Sequence, residues 1–266
     1  MKILKCVLIL IIAVLALCFT SCFADIYCNH VDADGDIVCD KCREAYSKGF
    51  TYELNDEGSY SVTKYEGIAT EVVIPATHEG KPVTRIEDDV FYYYYGLARV
   101  TIPATVTSIG KNAFYGCGDL TNISVDPENP IYTDIDGSLY TKDGKDLVLY
   151  ATGKKEESFT VPDSVTRIFE GAFRHCNRIK SIVIPDSVIS IGKDAFSECR
   201  NLTSITLGAG VTDIEYGALN GPANLTNISV SPDNQDFKDI DGVLYTKDGV
   251  ALVKYLLRRT EPSCAR

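Results

Sequence analysis

LARVTIPATVTSIGKNAFYGCGD, residues 97–119, decides the fold. Its skeleton is Leu97, Val100, Ile102, Pro103, Val106, Ile109, Gly110, Ala113, Phe114 and Cys117. The same skeleton returns in 179–201 (IKSIVIPDSVISIGKDAFSECRN) and, weaker, in 202–224 (LTSITLGAGVTDIEYGALNGPAN), each copy 23 residues long. A fixed period of roughly 20–50 residues marks a repeat array. Each unit holds two short apolar runs, LxxIxIP and VTxIG, followed by xxAFxxC. The first run predicts a strand with Leu and Ile inward, ended by a proline that cannot donate to a ladder. The second is β-branched and again strand-like. Gly110 and Gly192 permit a tight turn before a single helical turn carrying Ala and Phe. Units stacked at a strand spacing of roughly 4.8 Å put like beside like. Phe91, Phe114, Phe173, Phe196 and Leu219 are therefore expected to form one spine down the core.

Outward from this stretch, the pattern accounts for residues 67–255. On the N-terminal side Ala69–Pro75 matches the first run, but Ile74 precedes Ile102 by 28 residues. The excess falls at His78–Pro82, read as a surface loop between two strands. Phe50–Glu66 alternates apolar residues around Asn55-Asp56-Glu57-Gly58, a hairpin pattern, and residues 50–66 are assigned as the cap that a solenoid end requires. On the C-terminal side, excess residues at 126–155 interrupt the period after a first strand. Residues 228–255 copy 123–150 without a gap, so a second insertion is expected near 231–255. In both, Asp-Gly between apolar runs predicts a hairpin. The Asp134/Asp136 and Asp239/Asp241 pairs each precede a glycine, and turn formation explains them better than a cation does. The tail, 256–266, stops part-way through a repeat: either the last hairpin closes the array, or the chain is a truncated member of a longer protein.

The first 21 residues read as an address. Lys2 and Lys5 precede an apolar run from Cys6 to Phe19, short for a membrane span but right for a secretory signal. Two cleavage sites compete. Phe19-Thr20-Ser21-Cys22 resembles a loose lipobox, in which Cys22 would be acylated; Cys22-Phe23-Ala24 resembles an ordinary site before Asp25. Either way export is expected, with a lipid anchor at the cell surface or envelope in the first case and secretion in the second.

The Cys/Asp-rich segment 22–49 follows, within which Cys28-x-His30-x8-Cys39-x2-Cys42 supplies four donors, the last two at zinc-knuckle spacing. Asp32, Asp34 and Asp36 alternate as the first ligands of a calcium loop do. An EF-hand would need Gly at its sixth position and Glu at its twelfth; Ile37 and Arg43 stand there, so that motif is rejected. A small structural zinc or calcium site, a disulfide-stapled spacer and a plain linker all remain open readings of this block. Three other cysteines, Cys117, Cys176 and Cys199, share one repeat position with Tyr94 and Pro222. A position that accepts Tyr and Pro reads as a ladder of small buried thiols rather than as a redox pair between Cys176 and Cys199.

The pattern LTxIxIPxSVTxIGxxAFxxCxx, with its Lys-Asp-Gly hairpin insertion, resembles the BspA-type leucine-rich-repeat family of bacterial surface proteins over about residues 50–255. The resemblance implies a right-handed, mostly parallel α/β solenoid without a cofactor, in exported proteins that bind host proteins, cells or glycans. It brings no catalytic motif. The repeat at 202–224 departs from the pattern at Leu207-Gly208 and Gly221-Pro222, where local irregularity is expected.

Charge and motifs narrow the function further. Acidic residues exceed basic ones, 37 to 26, for a net charge of −11, and the basic residues are scattered, so nucleic acid is not an expected partner. The three histidines, His30, His78 and His175, fall in separate contexts, and no H-E-x-x-H, nucleophile-elbow or P-loop pattern occurs. The expected function is therefore a non-catalytic surface binding or adhesion module, with a passive surface spacer or envelope-assembly component as the alternative. Its expected binding face is the outward side of the first strands: Arg99, Thr101, Asn122, Ser124, Lys180, Ser181 and Thr206, with Thr121, Thr203 and Thr226 beside them. Tyr92, Tyr93 and Tyr95 add aromatic contacts, or else cover the edge of the first repeat.

Overall fold

The computed structural model describes residues 49–254. The export segment, Cys22, the Cys28–Cys42 block with His30, Asp32, Asp34 and Asp36, and the tail from residue 255 onward lie outside the described residues. Strands β1 (Phe50–Leu54) and β2 (Tyr60–Tyr65) pair antiparallel around the turn at Asn55, whose side-chain oxygen accepts from the Ser59 N–H at 2.9 Å. The first turn of the array then carries β3 (Glu71–Val73), β4 (Thr77–His78) and β5 (Lys81–Ile86). The stretch read as a loop at His78–Pro82 is in fact a tight hairpin: β4 pairs antiparallel with β5, with Glu79 and Gly80 both at positive φ.

Each later turn repeats the pair of strands. These are β6 (Arg99–Ile102) and β7 (Ser108–Ile109); β8 (Asn122–Val125) before the first insertion; then β9 (Tyr132–Ile135), β10 (Ser138–Thr141) and β11 (Asp146–Leu149). The array continues with β12 (Ser158–Thr160) and β13 (Arg167–Ile168), β14 (Ser181–Ile184) and β15 (Ser190–Ile191), and β16 (Ser204–Leu207) and β17 (Asp213–Ile214). Last come β18 (Asn227–Val230), β19 (Phe237–Ile240), β20 (Val243–Thr246) and β21 (Leu252–Lys254). Registers pair like with like, Val100 beside Ile123 and Ile182 beside Ile205 beside Ile228, so the inward rows are continuous apolar ridges. This is a β-solenoid, in keeping with a leucine-rich-repeat architecture.

The xxAFxxC segment is not a helical turn, and the described residues contain no helix. Its backbone alternates instead. Asp89, Asn112, Gly171, Asp194 and Gly217, two residues before the spine residue of their turn, all lie at positive φ. So do Tyr93, Gly116, His175 and Glu198, two residues after it. Left-handed residues interrupt the i to i−4 ladder and turn every second N–H along the solenoid axis. Thus Ala113, Tyr115 and Cys117 bond within the turn, whereas the Phe91 N–H donates to Ala113 O in the next one, 2.8 Å away. Asn, Asp and Gly tolerate this conformation best, and they fill most of these places.

Gly110 and Gly192 serve close approach rather than a positive φ. A Cβ on Gly110 would lie 2.4 Å from the Asp88 nitrogen, and one on Gly192 2.6 Å from the Glu170 nitrogen, both backbone atoms of the preceding turn. The repeat at 202–224 is irregular as expected. Of the three axial bonds seen between turns elsewhere, only Phe196 N–H to Ala218 O is made across to it among the described residues.

The single aromatic spine is also revised. Phe91 stacks on Phe114 (5.2 Å), and a second column runs Tyr150, Phe173, Phe196, with 5.2 and 5.1 Å between centroids. The buried core divides likewise, one part from Val62 to Leu139 and one from Tyr140 to Leu244. Tyr150 supplies the extra ring because β11 is the second strand of its turn: it pairs parallel with β13, and the Tyr150 N–H donates to Ala172 O.

What is inserted is the hairpin β9–β10, turned at Asp136-Gly137 with both φ values positive. Asp134 accepts the Val125 N–H at 2.8 Å and Gly137 O accepts the Ile123 N–H, so the hairpin covers the open edge of β8. Asp239 and Gly242 do the same for Val230 and Ile228 at β18. These aspartates hold turns and strand edges. The first-strand ladder is consequently two sheets, β3-β6-β8 and β12-β14-β16-β18, each closed by its own hairpin.

Two asparagines hold the insertions in place. Asn129 is fully buried; its Nδ2 donates to Pro103 O (2.8 Å) and Val106 O (2.9 Å), and its Oδ1 accepts from Ile131 and Tyr132 N–H. Asn234 repeats the arrangement on Gly208, Val211, Asp236 and Phe237.

Candidate binding surfaces

The first-strand face is polar but split by the insertion. Arg99 lies beside Asn122 and Thr101 beside Ser124 on one sheet; on the other, Ser181 lies beside Ser204 and Thr206 beside Val183, with Lys180 just ahead of β14. The two cations are already matched locally, Arg99 with Glu71 at 3.7 Å and Lys180 with Glu157 at 2.7 Å. Such exposed pairs contribute little to stability, and they leave the face near neutral. Thr121, Thr203 and Thr226 are structural: each hydroxyl donates to a carbonyl of the preceding turn, Ala98, Lys180 and Thr203 respectively.

The tyrosines form a different surface. Tyr92 is 49% exposed, Tyr93 38% and Tyr95 58%. Tyr94, between them, packs on Tyr65 and donates to Ala69 O at 3.0 Å, in the place of the repeat cysteine. Tyr115 stacks on Tyr92 (5.1 Å) and meets Tyr93 edge-on (5.2 Å); His175 closes on Tyr93 and Tyr115 at 5.8 and 5.4 Å. The Arg174 guanidinium lies 4.8 Å from the Tyr115 ring centre. Burial first, then the Tyr93 hydroxyl, pushes the Tyr115 phenol up to about 12. The patch is rigid because the Tyr93 N–H donates to Tyr115 O at 2.7 Å. Sequence reading missed Tyr115, Arg174 and His175. The available signal was positional: they sit one or two places after the spine aromatic, as Tyr92 and Tyr93 do.

His78 and the repeat cysteines are absorbed by packing. His78 stacks on Tyr52 at 3.8 Å. Among the described residues no three His, Cys, Asp or Glu side chains converge on a metal position. Cys117, Cys176 and Cys199 are free, buried thiols, and the sulfurs of Cys117 and Cys199 donate to Phe91 O and Phe173 O. Burial raises Cys117 from 9.0 to about 12 and Cys176 to about 11. From pH 9 upward the unfolded thiols ionise while the folded ones keep their protons. Stability is therefore expected to fall as pH rises from about 9 to about 12, and Cys117→Ala to flatten that slope in urea unfolding.

Stacked turns, paired strands and inward rows of Leu, Ile and Val mark a leucine-rich-repeat protein. The chain belongs to the BspA type leucine rich repeat region family, whose model matches six copies over residues 68–141 and 149–241. It is similar to a leucine-rich-repeat protein of T. pallidum (28% identity, 68% of this chain and 69% of that one, TM-score 0.38). It is similar too to a leucine rich cell surface protein of Faecalibacterium prausnitzii (29% identity, 81% and 62%, TM-score 0.48). The pneumococcal vaccine antigen PcpA shares 18% identity over 62% of this chain and 51% of its own length, with a TM-score of 0.48. The chain thus spans less than two thirds of the latter two proteins. A comparison with curated proteins returns no match.

Proposed function

We propose that the protein is an exported, non-catalytic binding module of the bacterial cell surface that adheres to host or other extracellular proteins, cells or glycans. The carrying observation is the tyrosine patch. Tyr92, Tyr93 and Tyr95 stand out of a backbone clamped by axial hydrogen bonds, so their rings offer large contact area at little entropic cost. The near-neutral Thr/Ser/Asn rows of the first strands add hydrogen-bonding capacity beside it. The resemblance of the N-terminal segment to a signal, with Cys22 as an acylation site, supports surface anchoring. A structural ion in this segment, zinc on Cys28, His30, Cys39 and Cys42 or calcium on Asp32, Asp34 and Asp36, would serve the anchor rather than the binding surface.

The test is a matrix-protein and glycan array probed with the chain and with a Tyr92→Ser/Tyr93→Ser/Tyr95→Ser variant. Capture by the first and a loss of about tenfold or more in the second, at unchanged melting temperature, is expected. Equal capture by both would sink the proposal.

A further inference from the structure

The second-strand ladder stops at β7, which pairs with β5 alone, and resumes with β11 and β13. A cleft of about 250 Å³ opens at this break. Its lining combines apolar side chains, Leu139, Val148 and Leu149, with Asn112, Phe114 and Arg174. In the flanking turns the axial N–H groups are all used: Asp89, Phe91 and Tyr93 donate to Lys111, Ala113 and Tyr115, and Gly171, Phe173 and His175 to Lys193, Ala195 and Ser197. The counterparts at the break, Asn112, Phe114 and Gly116, donate to no backbone carbonyl among the described residues. Asn112 is left-handed (φ 53°), the conformation in which successive N–H groups form an anion-binding concavity.

The charge at the cleft has the same sense. Arg174 donates to Asn112 Oδ1 at 3.1 Å, yet its Nε is buried and unpaired, and no acidic side chain among the described residues forms an ion pair with it. The acid in the lining, Glu170, is matched by Lys111 at 4.0 Å. With Lys111 and Glu170 matched, the side-chain charge at the cleft is net positive through Arg174, and the complementary ligand carries an anion next to a small apolar body. A uronic or sialic acid supplies the anion but would set hydroxyls against Leu139, Val148 and Leu149. A peptide ending in an aliphatic residue supplies both parts.

We propose that this cleft binds the free C-terminal carboxylate of a peptide with an aliphatic last residue. The carboxylate takes the Asn112 and Phe114 N–H groups and Arg174, and the side chain lies on Leu139, Val148 and Leu149, a mode in which backbone donors capture a chain terminus. The site borders the tyrosine patch through Arg174, which also packs on Tyr115, but its test does not depend on what the patch binds.

The test is a titration of the isotope-labelled chain, followed by amide resonances, with N-acetyl-Ser-Ala-Leu bearing a free carboxylate. Saturable shifts at Asn112 and Phe114 are expected, with affinity reduced about tenfold or more for the C-terminal amide of the same peptide and for Arg174→Gln. The amidated peptide keeps the test decisive if Arg174→Gln does not fold. Equal binding of acid and amide, shifts confined to other residues, or saturation by glucuronate with none by the peptide would each overturn the proposal.

Discussion

Asn129→Ala is expected to destabilise the protein by about 3–5 kcal/mol, measured by urea unfolding at neutral pH. The residue is small, polar and outside the repeat, yet it is fully buried and makes four hydrogen bonds to backbone groups of two chain segments. Truncation removes a partner from the Val106 carbonyl and from the Ile131 and Tyr132 N–H groups, each costing about 1–3 kcal/mol before relaxation, while Pro103 O keeps only the Val106 N–H at 3.3 Å. Asn129→Asp is expected to cost at least as much, because an acceptor would then face the carbonyls of Pro103 and Val106. Asn234→Ala should behave like Asn129→Ala, having the same bonds in the second insertion.

Phe173→Ala is expected to cost about 5 kcal/mol and Phe114→Ala about 3. Both are buried spine residues at the same repeat position, so sequence alone assigns them equal weight. Phe173 is sandwiched between Tyr150 and Phe196. Phe114 stacks on Phe91 and lines the cleft on its other side. Thermal and urea unfolding of the two variants measure this difference directly. Equal losses would mean that the spine is continuous and that Tyr150 does not begin a second column.

What the repeat could reveal was governed by what it repeats. Inward Leu, Val and Ile, the aromatic at each turn and the buried cysteine recur because each must match its neighbour above and below, and so the solenoid was legible from Leu97–Asp119. The helical turn was misread because Asn112 and Asp194 pass as ordinary helix residues; in the fold they are left-handed, and the carbonyls on either side of them, Lys111 and Ala113, Lys193 and Ala195, accept from the preceding turn. Tyr150 was hidden by the 36 extra residues ahead of Ile179, which conceal that β11 is itself a rung. Asn129 carries no periodic signal, and only its copy at Asn234 hints at a role. The tyrosine patch was half legible: Tyr92, Tyr93 and Tyr95 are adjacent in sequence, whereas Tyr115, Arg174 and His175 reach it only through stacking of turns.

The axial ladder is complete from the Phe91 turn to the Phe114 turn and from the Phe173 turn to the Phe196 turn, and open between Phe114 and Phe173; native-state amide hydrogen exchange tests this most directly. The amides of Phe91 and Phe173, bonded to the following turn, are expected to be protected close to the global limit. Those of Asn112 and Phe114, their counterparts at the break, are expected to exchange about a hundredfold faster or more. Equal protection at all four would contradict the break, the cleft and the site proposed in it.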